Sequence, residues 1–499
     1  MKSIPIVPES GEFCRRAGEK RLIPLSATII ADLDTPLTLF CKIFGDREEV
    51  FLFESMEGGE KWGRYSFIGF EPLALFSSRG HRVTMHGPAV IAGREEEVDN
   101  PLAAVRELLA DMDAFVDPEL PKFCGGAVGF LGYDTVRFLE ELPDSHEPLD
   151  LPDSSFMVPG VVLVHDNVRQ TVTIVCWADT REQTDLIRCY RDAVERLQHI
   201  VALLQAAVPE AVLAKRGNAS AVHDFHSNME PERFRSMVER AKEYILAGDI
   251  FQVVLSQRFH TRTDLPALSI YRALRHINPS PYLFFLKFGE LIQIGSSPEI
   301  LVRKEGDTIE LRPIAGTRQR GRTAAEDAAL EQELLADPKE RAEHLMLVDL
   351  GRNDVGRIAR GGSVEVRDLL TVERYSHVMH IVSGVHGAIA DGRDQFDVVA
   401  ACFPAGTVSG APKIRAMEII EELEPQRRGP YAGAIGYFGF SGSMDFCIAI
   451  RTFTMHGRDL YIQAGAGIVA DSDPHMEFEE TVNKSMGLRR AVELAEKRF

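Results

Sequence analysis

Two acidic pairs lie more than a hundred residues apart, each just inside the start of a predicted helix. One reads Asp337-Pro338-Lys339-Glu340-Arg341-Ala342-Glu343, the other Asp473-Pro474-His475-Met476-Glu477-Phe478-Glu479-Glu480. In both, Asp is a natural N-cap and Pro a natural first helical residue. In both, two glutamates follow three residues apart and share one helix face. If the fold brings these helix starts together, Glu340, Glu343, Glu477 and Glu480 converge. Two like charges about 4 Å apart repel by roughly 4 kcal/mol at an effective dielectric near 20. Such a cluster calls for a divalent cation, and an all-oxygen set with room for water suits Mg²⁺. The plainer alternative is local: Asp337 and Glu340 have capping-box spacing, and first-turn acids favour the helix dipole.

Other positions have chemistry of their own. Glu299, in Gly295-Ser296-Ser297-Pro298-Glu299, follows an apolar strand. Alone it is a turn acid; beside a metal it could be a tuned proton donor. His380 sits in an apolar strand, where a core histidine is the commoner outcome. Arg451 follows a strand too apolar for a solvated charge, so it should face an anion or a buried carboxylate. The run Gly406-Thr407-Val408-Ser409-Gly410-Ala411-Pro412-Lys413 lacks the spacing of a nucleotide phosphate loop. It precedes a helix, so its amides and Thr407 could hold an anion at that N-terminus.

Two rival motifs fail on context. Gly465-Ala466-Gly467-Ile468-Val469-Ala470 has a dinucleotide-fold spacing, but Asp471-Ser472-Asp473-Pro474 breaks the chain where a helix should begin. Glu340-x-x-Glu343-His344 resembles the inverted zinc-protease pattern, but needs His at position 340.

The elements that must position these groups are mixed. From about residue 25 to 200, VFLFES, YSFIGF, AVGFLGY, VVLVHD and TVTIVCW read as strands. Helical patterns over Pro101–Met112 and Asp185–Ala207 punctuate them. Pro209 to Glu230 reads as a linker. A second half opens with a helix from Pro231, followed by strands at FQVVLSQRF, YLFFLKF, LIQIGSS and EILVRK. A long helical stretch over Thr323–Leu350 is broken at Asp337-Pro338. HVMHIVSGVHGAI reads as strand and Lys413–Leu423 as helix. Strands at AIGYFGF, FCIAIRTFTMH and LYIQAGAGIV follow, with helix from Asp473 onward. This pattern predicts an α+β fold, with antiparallel β-sheets packed face to face and helices outside.

The chain has 499 residues, 45% hydrophobic and 26% charged, with a formal net charge of -19. That is globular composition, and the acidic surplus argues against nucleic acid or an anionic membrane as partner. No apolar run reaches the length of a membrane span, and the first residues show no signal-peptide core. Seven scattered cysteines without a CxxC pair fit reduced thiols and a cytoplasmic location. On that reading the sequon Asn218-Ala219-Ser220 is chance.

Taken together, these segments resemble the chorismate-utilising enzymes, most closely the branch of large subunits that make anthranilate. The likeness rests on Gln252-Val253-Val254-Leu255-Ser256, Gly295–Glu299, Pro313-Ile314-Ala315-Gly316-Thr317-Arg318, Glu343-His344 with Leu347–Leu350 and Arg352-Asn353-Asp354, Ala405-Gly406-Thr407, and Glu480-Thr481 with Asn483-Lys484. The resemblance implies chorismate held over Mg²⁺, with Glu343 and Glu480 on the metal and Glu340 and Glu477 direct or through water. It implies Thr317, Thr407, Tyr431, Arg451, Gly465, Ala466, Gly467 and Lys484 around the substrate. Glu299 is then the general acid, with Gln252 and Thr407 beside the chemistry, and His380 serves the later elimination. Isochorismate and salicylate synthases place Lys where Gln252 stands, and many aminodeoxychorismate synthases place Lys where Ala315 stands. Both differences favour anthranilate over those sister activities.

The resemblance also divides the chain into a regulatory region, residues 1–225, and a chorismate-binding catalytic region, residues 226–499. Phe53-Glu54-Ser55 and Asn278-Pro279-Ser280-Pro281-Tyr282 fit the family's tryptophan-feedback elements, which implies a pocket of Glu54, Ser55, Pro281, Tyr282 and Cys447. The motif is altered to FLFES, and Leu283 stands where some relatives have Met. No Gly-x-Cys-x-Gly nucleophile elbow with a following His occurs. Ammonia is therefore expected from a separate glutamine amidotransferase subunit, in a heterotetramer of two large and two small subunits.

Overall fold

The computed structural model describes residues 4–55, 63–90, 93–181, 185–210, 223–375 and 378–499. Most of the predicted linker and the sequon at Asn218 lie outside the described residues.

Strands with alternating apolar residues bury both faces, and each face joins a different core. On the Glu49–Glu54 strand, Val50 and Leu52 pack into one cluster while Phe51 packs into another. On the Tyr282–Phe288 strand, Phe285 goes one way and Phe284 and Leu286 the other. On Ala434–Gly439, Ile435 parts from Ala434 and Phe438 in the same manner. The shared middle cluster is Phe51, Phe130, Met157, Phe284, Ile435 and their neighbours, and it contains no helical residue. The two outer clusters are closed by helices, through Phe40, Leu197, Leu274 and Leu488 on one side and Leu108, Val355 and Val399 on the other. This is the expected architecture, sheets face to face with helices outside. Each buried Phe or Leu adds about 1.5–3 kcal/mol of transfer free energy.

All ladders between the described strands are antiparallel. Two of them cross from the first region of the chain to the second. Glu49–Glu54 pairs with Tyr282–Phe288, setting Glu54 opposite Leu283. Gly126–Leu131 pairs with Ala434–Gly439. Residues 1–225 and 226–499 therefore share hydrogen-bonded strands.

The predicted helix break at Asp337-Pro338 falls where expected, between Ala324–Ala336 and Pro338–Gly356. The last helix is Pro474–Arg498. A strand at Glu365–Arg374 was not expected. Its charged residues hide the alternation, and it stays mostly exposed at the edge of Val378–Ala388.

Candidate active site

Asp337 accepts the Lys339 and Glu340 amides at 2.9 and 3.3 Å, and Asp473 accepts those of His475 and Met476 at 2.9 and 3.0 Å. The reciprocal half of a capping box is absent at the first helix. The Asp337 amide goes to the Glu333 carbonyl, and the Glu340 carboxylate accepts from Arg318 at 3.0 Å. The glutamates are thus not consumed by capping.

The two helix starts face each other. Burial raises the Glu343 pKa, then Glu340 on its own helix, and Glu480 from the other helix adds to the rise. Burial likewise raises Glu477, with Glu480 adding to it and Lys339 across the gap pulling it down. The four carboxylates do not meet at one point: among the described residues no three Asp, Glu, His or Cys side chains form a metal-sized cluster. Arg318 holds Glu340, and Lys484 holds Glu480 at 2.6 Å.

Lys484 links this acidic gap to the glycine strand. Its ammonium donates to the Gly465 carbonyl at 3.0 Å, and its own carbonyl accepts from Arg451 Nη1 at 2.5 Å. Arg451 adopts φ +53°, an uncommon choice for a side chain of this size. Burial lowers its pKa, while Tyr431 and Glu480 act against that. The sequence called for an anion or carboxylate partner here; the direct partner is a backbone carbonyl.

Gly465 and Gly467 lie within the strand Asp459–Ile468, not in a dinucleotide turn. A methyl group at Gly465 would sit 2.7 Å from the Tyr431 hydroxyl, and one at Gly467 would sit 2.5 Å from Gln252 Nε2. Both positions need a bare backbone so that these side chains can approach. Ala466 differs: its methyl packs into an apolar core with Val253, Leu255 and Ile468, so only its backbone can reach a ligand.

Glu299 is half-buried, and burial raises its pKa to about 7, against the pull of the Thr407 hydroxyl and of Lys484. Thr407 Oγ1 completes no well-formed hydrogen bond with any described residue, and neither does Gln252 Oε1. Thr407 lies in a separate short turn, Gly406–Val408, while the following helix starts at Lys413 with Pro412 as an uncapped N-cap. The expected anion hold at that helix N-terminus is therefore not where Thr407 sits. Gly410 and Ala411 instead pair with Val253 and Gln252.

His380 is half-buried, and burial lowers its pKa. Its Nδ1 lies 3.0 Å from the Gly316 carbonyl and 3.1 Å from Thr317 Oγ1. A carbonyl only accepts, so Nδ1 carries the proton and Nε2 keeps a lone pair. Gly316, at φ +68°, makes the bulge that turns its carbonyl to His380, and a Cβ there would lie 3.1 Å from Glu340 Oε2. His380 and the acidic gap are thus neighbours.

Sequence reasoning missed the Arg318–Glu340 pair, which closes over 22 residues, and Lys484–Glu480, whose i,i+4 spacing was a usable signal.

A second cavity, about 340 Å³, opens in the layer between the sheets. Glu54, Ser55, Pro281, Tyr282 and Cys447 all line it, with Phe53, Phe67, Phe284 and Tyr437. Several of its polar groups are paired. Glu54 accepts from Tyr271 and from Arg275 at 3.0 and 3.1 Å. Tyr282 donates to Asp445 at 3.0 Å, and Arg303 reaches both.

Residues 49–490 match the chorismate binding enzyme family, and the chain belongs to it. Within it, the chain is 47% identical to anthranilate synthase component 1 of Cereibacter sphaeroides over 97% of both chains. It is 47% identical to that of Acetivibrio thermocellus, over 98% of this chain and 99% of the relative. Anthranilate synthase component I from Streptococcus pneumoniae superposes with a TM-score of 0.76 at 37% identity, covering 87% of this chain and 95% of that one. The menaquinone-specific isochorismate synthase of Escherichia coli shares the fold, with a TM-score of 0.70 at 19% identity over 97% of this chain and 98% of that one.

Proposed function

We propose that the chain is the large subunit of an anthranilate synthase, converting chorismate and ammonia to anthranilate and pyruvate. The observation that carries this reading is the set around the glycine strand. A half-buried acid near neutrality, Glu299, sits beside Thr407 on one side of Lys484, and Arg451, Tyr431 and the bare Gly465 backbone lie on the other.

Ammonia adds at ring C2 while the 4-hydroxyl leaves as water, giving aminodeoxyisochorismate. Hydroxide is a poor leaving group, and Glu299 gives it the proton it needs. His380 Nε2 then takes the C2 proton as the enolpyruvyl group departs as pyruvate and the ring becomes aromatic. Arg451, Lys484 and the Gly465 and Gly467 amides hold the substrate carboxylates, with Thr317 at the His380 end. Gln252 is neutral and cannot activate water as a lysine would, and Ala315 cannot form a covalent adduct, which favours ammonia at C2 over the sister reactions.

The acidic gap fits a hard divalent cation. It is an oxygen-only donor set in which burial and acidic neighbours work against ionisation. Glu343 and Glu480 would hold Mg²⁺, with Glu340 and Glu477 direct or through water. Bound there, the ion would orient the substrate carboxylate and stabilise its charge.

Ammonia reaches the chain from glutamine through a separate amidotransferase subunit. The inter-sheet cavity is read as the site of feedback by tryptophan, whose indole suits its aromatic walls. A cytoplasmic setting follows from the same biosynthetic reading.

The deciding assay is anthranilate fluorescence from chorismate, ammonium and Mg²⁺. Isochorismate or a 4-amino product in its place would move the chain to a sister activity. Glu343→Gln should abolish turnover at ordinary Mg²⁺ concentrations, and near-normal rates would remove the metal role.

A further inference from the structure

One fully buried ion pair touches nearly every wall of this site without entering it. Arg428 and Glu424 are paired at 2.6 and 3.0 Å, and both are almost completely enclosed. The guanidinium continues outward: Nη1 donates to the Val408 carbonyl at 2.7 Å and Nη2 to the Val254 carbonyl at 2.6 Å. Val408 follows Thr407, and Val254 lies two residues after Gln252. The Arg428 plane also lies 4.8 Å from the Tyr133 ring and 5.7 Å from that of Tyr431. Glu424 accepts from the Ser256 amide and hydroxyl, both at 2.8 Å, and Ser256 stands opposite Gly465. One pair therefore holds the Thr407 turn, the Gln252 strand and Tyr431 in mutual register.

The first region of the chain locks this device in place. Asp134 accepts the Gly429 amide at 2.8 Å, and the Tyr133 amide donates to the Gly429 carbonyl at 2.7 Å. A buried pair that served stability alone could be replaced by apolar groups at little cost. Here five of its contacts end on the backbone or side chains that carry site residues.

We propose that Arg428, fixed by Glu424, is a positioning residue of the catalytic reaction: it sets the distance between Thr407 and Glu299 and the approach of Gln252 and Tyr431 to the glycine strand. This rests on the reading of Glu299 as the general acid. The groups facing Glu299 are Thr407 and Lys484, with Arg312 and Asp354 across the small adjoining cavity, Asp354 being paired with Lys413 at 2.7 Å. Of these, only Thr407 sits in the turn that Arg428 holds. Loosening that turn removes a hydroxyl that favours the ionised acid, so the acid should lose its proton at higher pH.

The test is the pH profile of anthranilate formation in three proteins: the wild type, Arg428→Lys, and Glu424→Gln combined with Arg428→Gln. Lysine keeps the charge but cannot reach two carbonyls and a carboxylate together. The double glutamine removes both charges, so neither is left buried alone. In both variants kcat should fall about tenfold to a hundredfold with the chorismate KM within about threefold. The alkaline limb should move upward by about half a pH unit. Thermal melts report the folded fraction separately. If kcat falls only in proportion to the folded fraction and the limb stays where it is, the inference is wrong while the Glu299 reading stands. If the wild type shows no limb near pH 7, the Glu299 reading fails and takes the inference with it.

Discussion

The inter-sheet cavity and the candidate active site differ in how their polar groups are paired. In the inter-sheet cavity every charged group named above has a partner: Glu54 with Tyr271 and Arg275, Asp445 with Arg303 and Tyr282. In the candidate active site Gln252 Oε1 has no hydrogen-bond partner among the described residues, the half-buried Glu299 is held near neutrality, and Arg451 sits at a costly backbone angle. Unsatisfied buried polar atoms cost about 1–3 kcal/mol each, and αL strain costs a similar amount. A fold keeps such costs where a ligand or reaction repays them. The satisfied cavity needs only shape, which suits a site that recognises and does not react.

Glu299→Gln is the sharpest way to break that comparison. Anthranilate formation should fall by roughly 10²–10⁴, the usual share of a general acid. The substitution should also raise stability at high pH. The folded pKa of about 7 lies above the ordinary carboxyl value of 4.5, so the native state binds the extra proton between those values. The favourable term is full below about pH 4.5 and is lost as pH rises through 7. Above pH 7 the Gln variant should gain about 1–3 kcal/mol relative to wild type, and not below pH 4.5. Parallel denaturation curves at pH 4.5 and 8 measure this. A variant that loses both activity and stability at pH 8 would return Glu299 to the status of a structural acid.

His380→Ala ranks next. The first addition does not need the imidazole, so chorismate should still be consumed while the amino-enolpyruvyl intermediate accumulates. Chromatography of the quenched reaction distinguishes this from a general loss. Unimpaired anthranilate formation would place His380 with the satisfied groups of the other cavity.

The parts of the site that were legible in the sequence share one property: local geometry specifies them. Asp-Pro starts both acidic helices by capping chemistry alone, whereas His380, by its local setting more commonly a core histidine, drew its role only from the family resemblance. The tuning was illegible because it depends on burial and on partners far along the chain. Nothing in Gly295–Glu299 shows that the Glu299 pKa is raised. Nothing near Glu340 announces Arg318, whose pairing depends on a bulge at Gly316. Glu424 and Arg428 have i,i+4 spacing, yet the contacts that matter, to Val254 and Val408, belong to two other segments. The fold was legible in its elements and not in how far its halves interlock. Strand patterns show which faces are buried, whereas the pairing of Glu54 with Leu283 is a matter of tertiary register.

Tyr282→Phe tests the quiet side of the comparison and should have the smallest effect. The hydroxyl donates to Asp445 at 3.0 Å and receives Arg303 at 3.2 Å, and removing it leaves the Arg303–Asp445 pair intact. The loss should be about 1 kcal/mol, one ordinary hydrogen bond, read as a shift in the denaturation midpoint. Without tryptophan, kcat should be unchanged, because Tyr282 touches no group at the chemistry. With tryptophan present, the proposed inhibition should weaken, because the polar rim of the inter-sheet cavity has changed. The route between the cavities is short: the Ser280 hydroxyl donates to the Ser297 carbonyl, and the Glu299 carbonyl accepts the Ile448 amide at 3.0 Å, one residue from Cys447. A severalfold fall in kcat without tryptophan would mean that this route transmits even a single lost hydroxyl, so the inter-sheet cavity could no longer be treated as separate from the catalytic one.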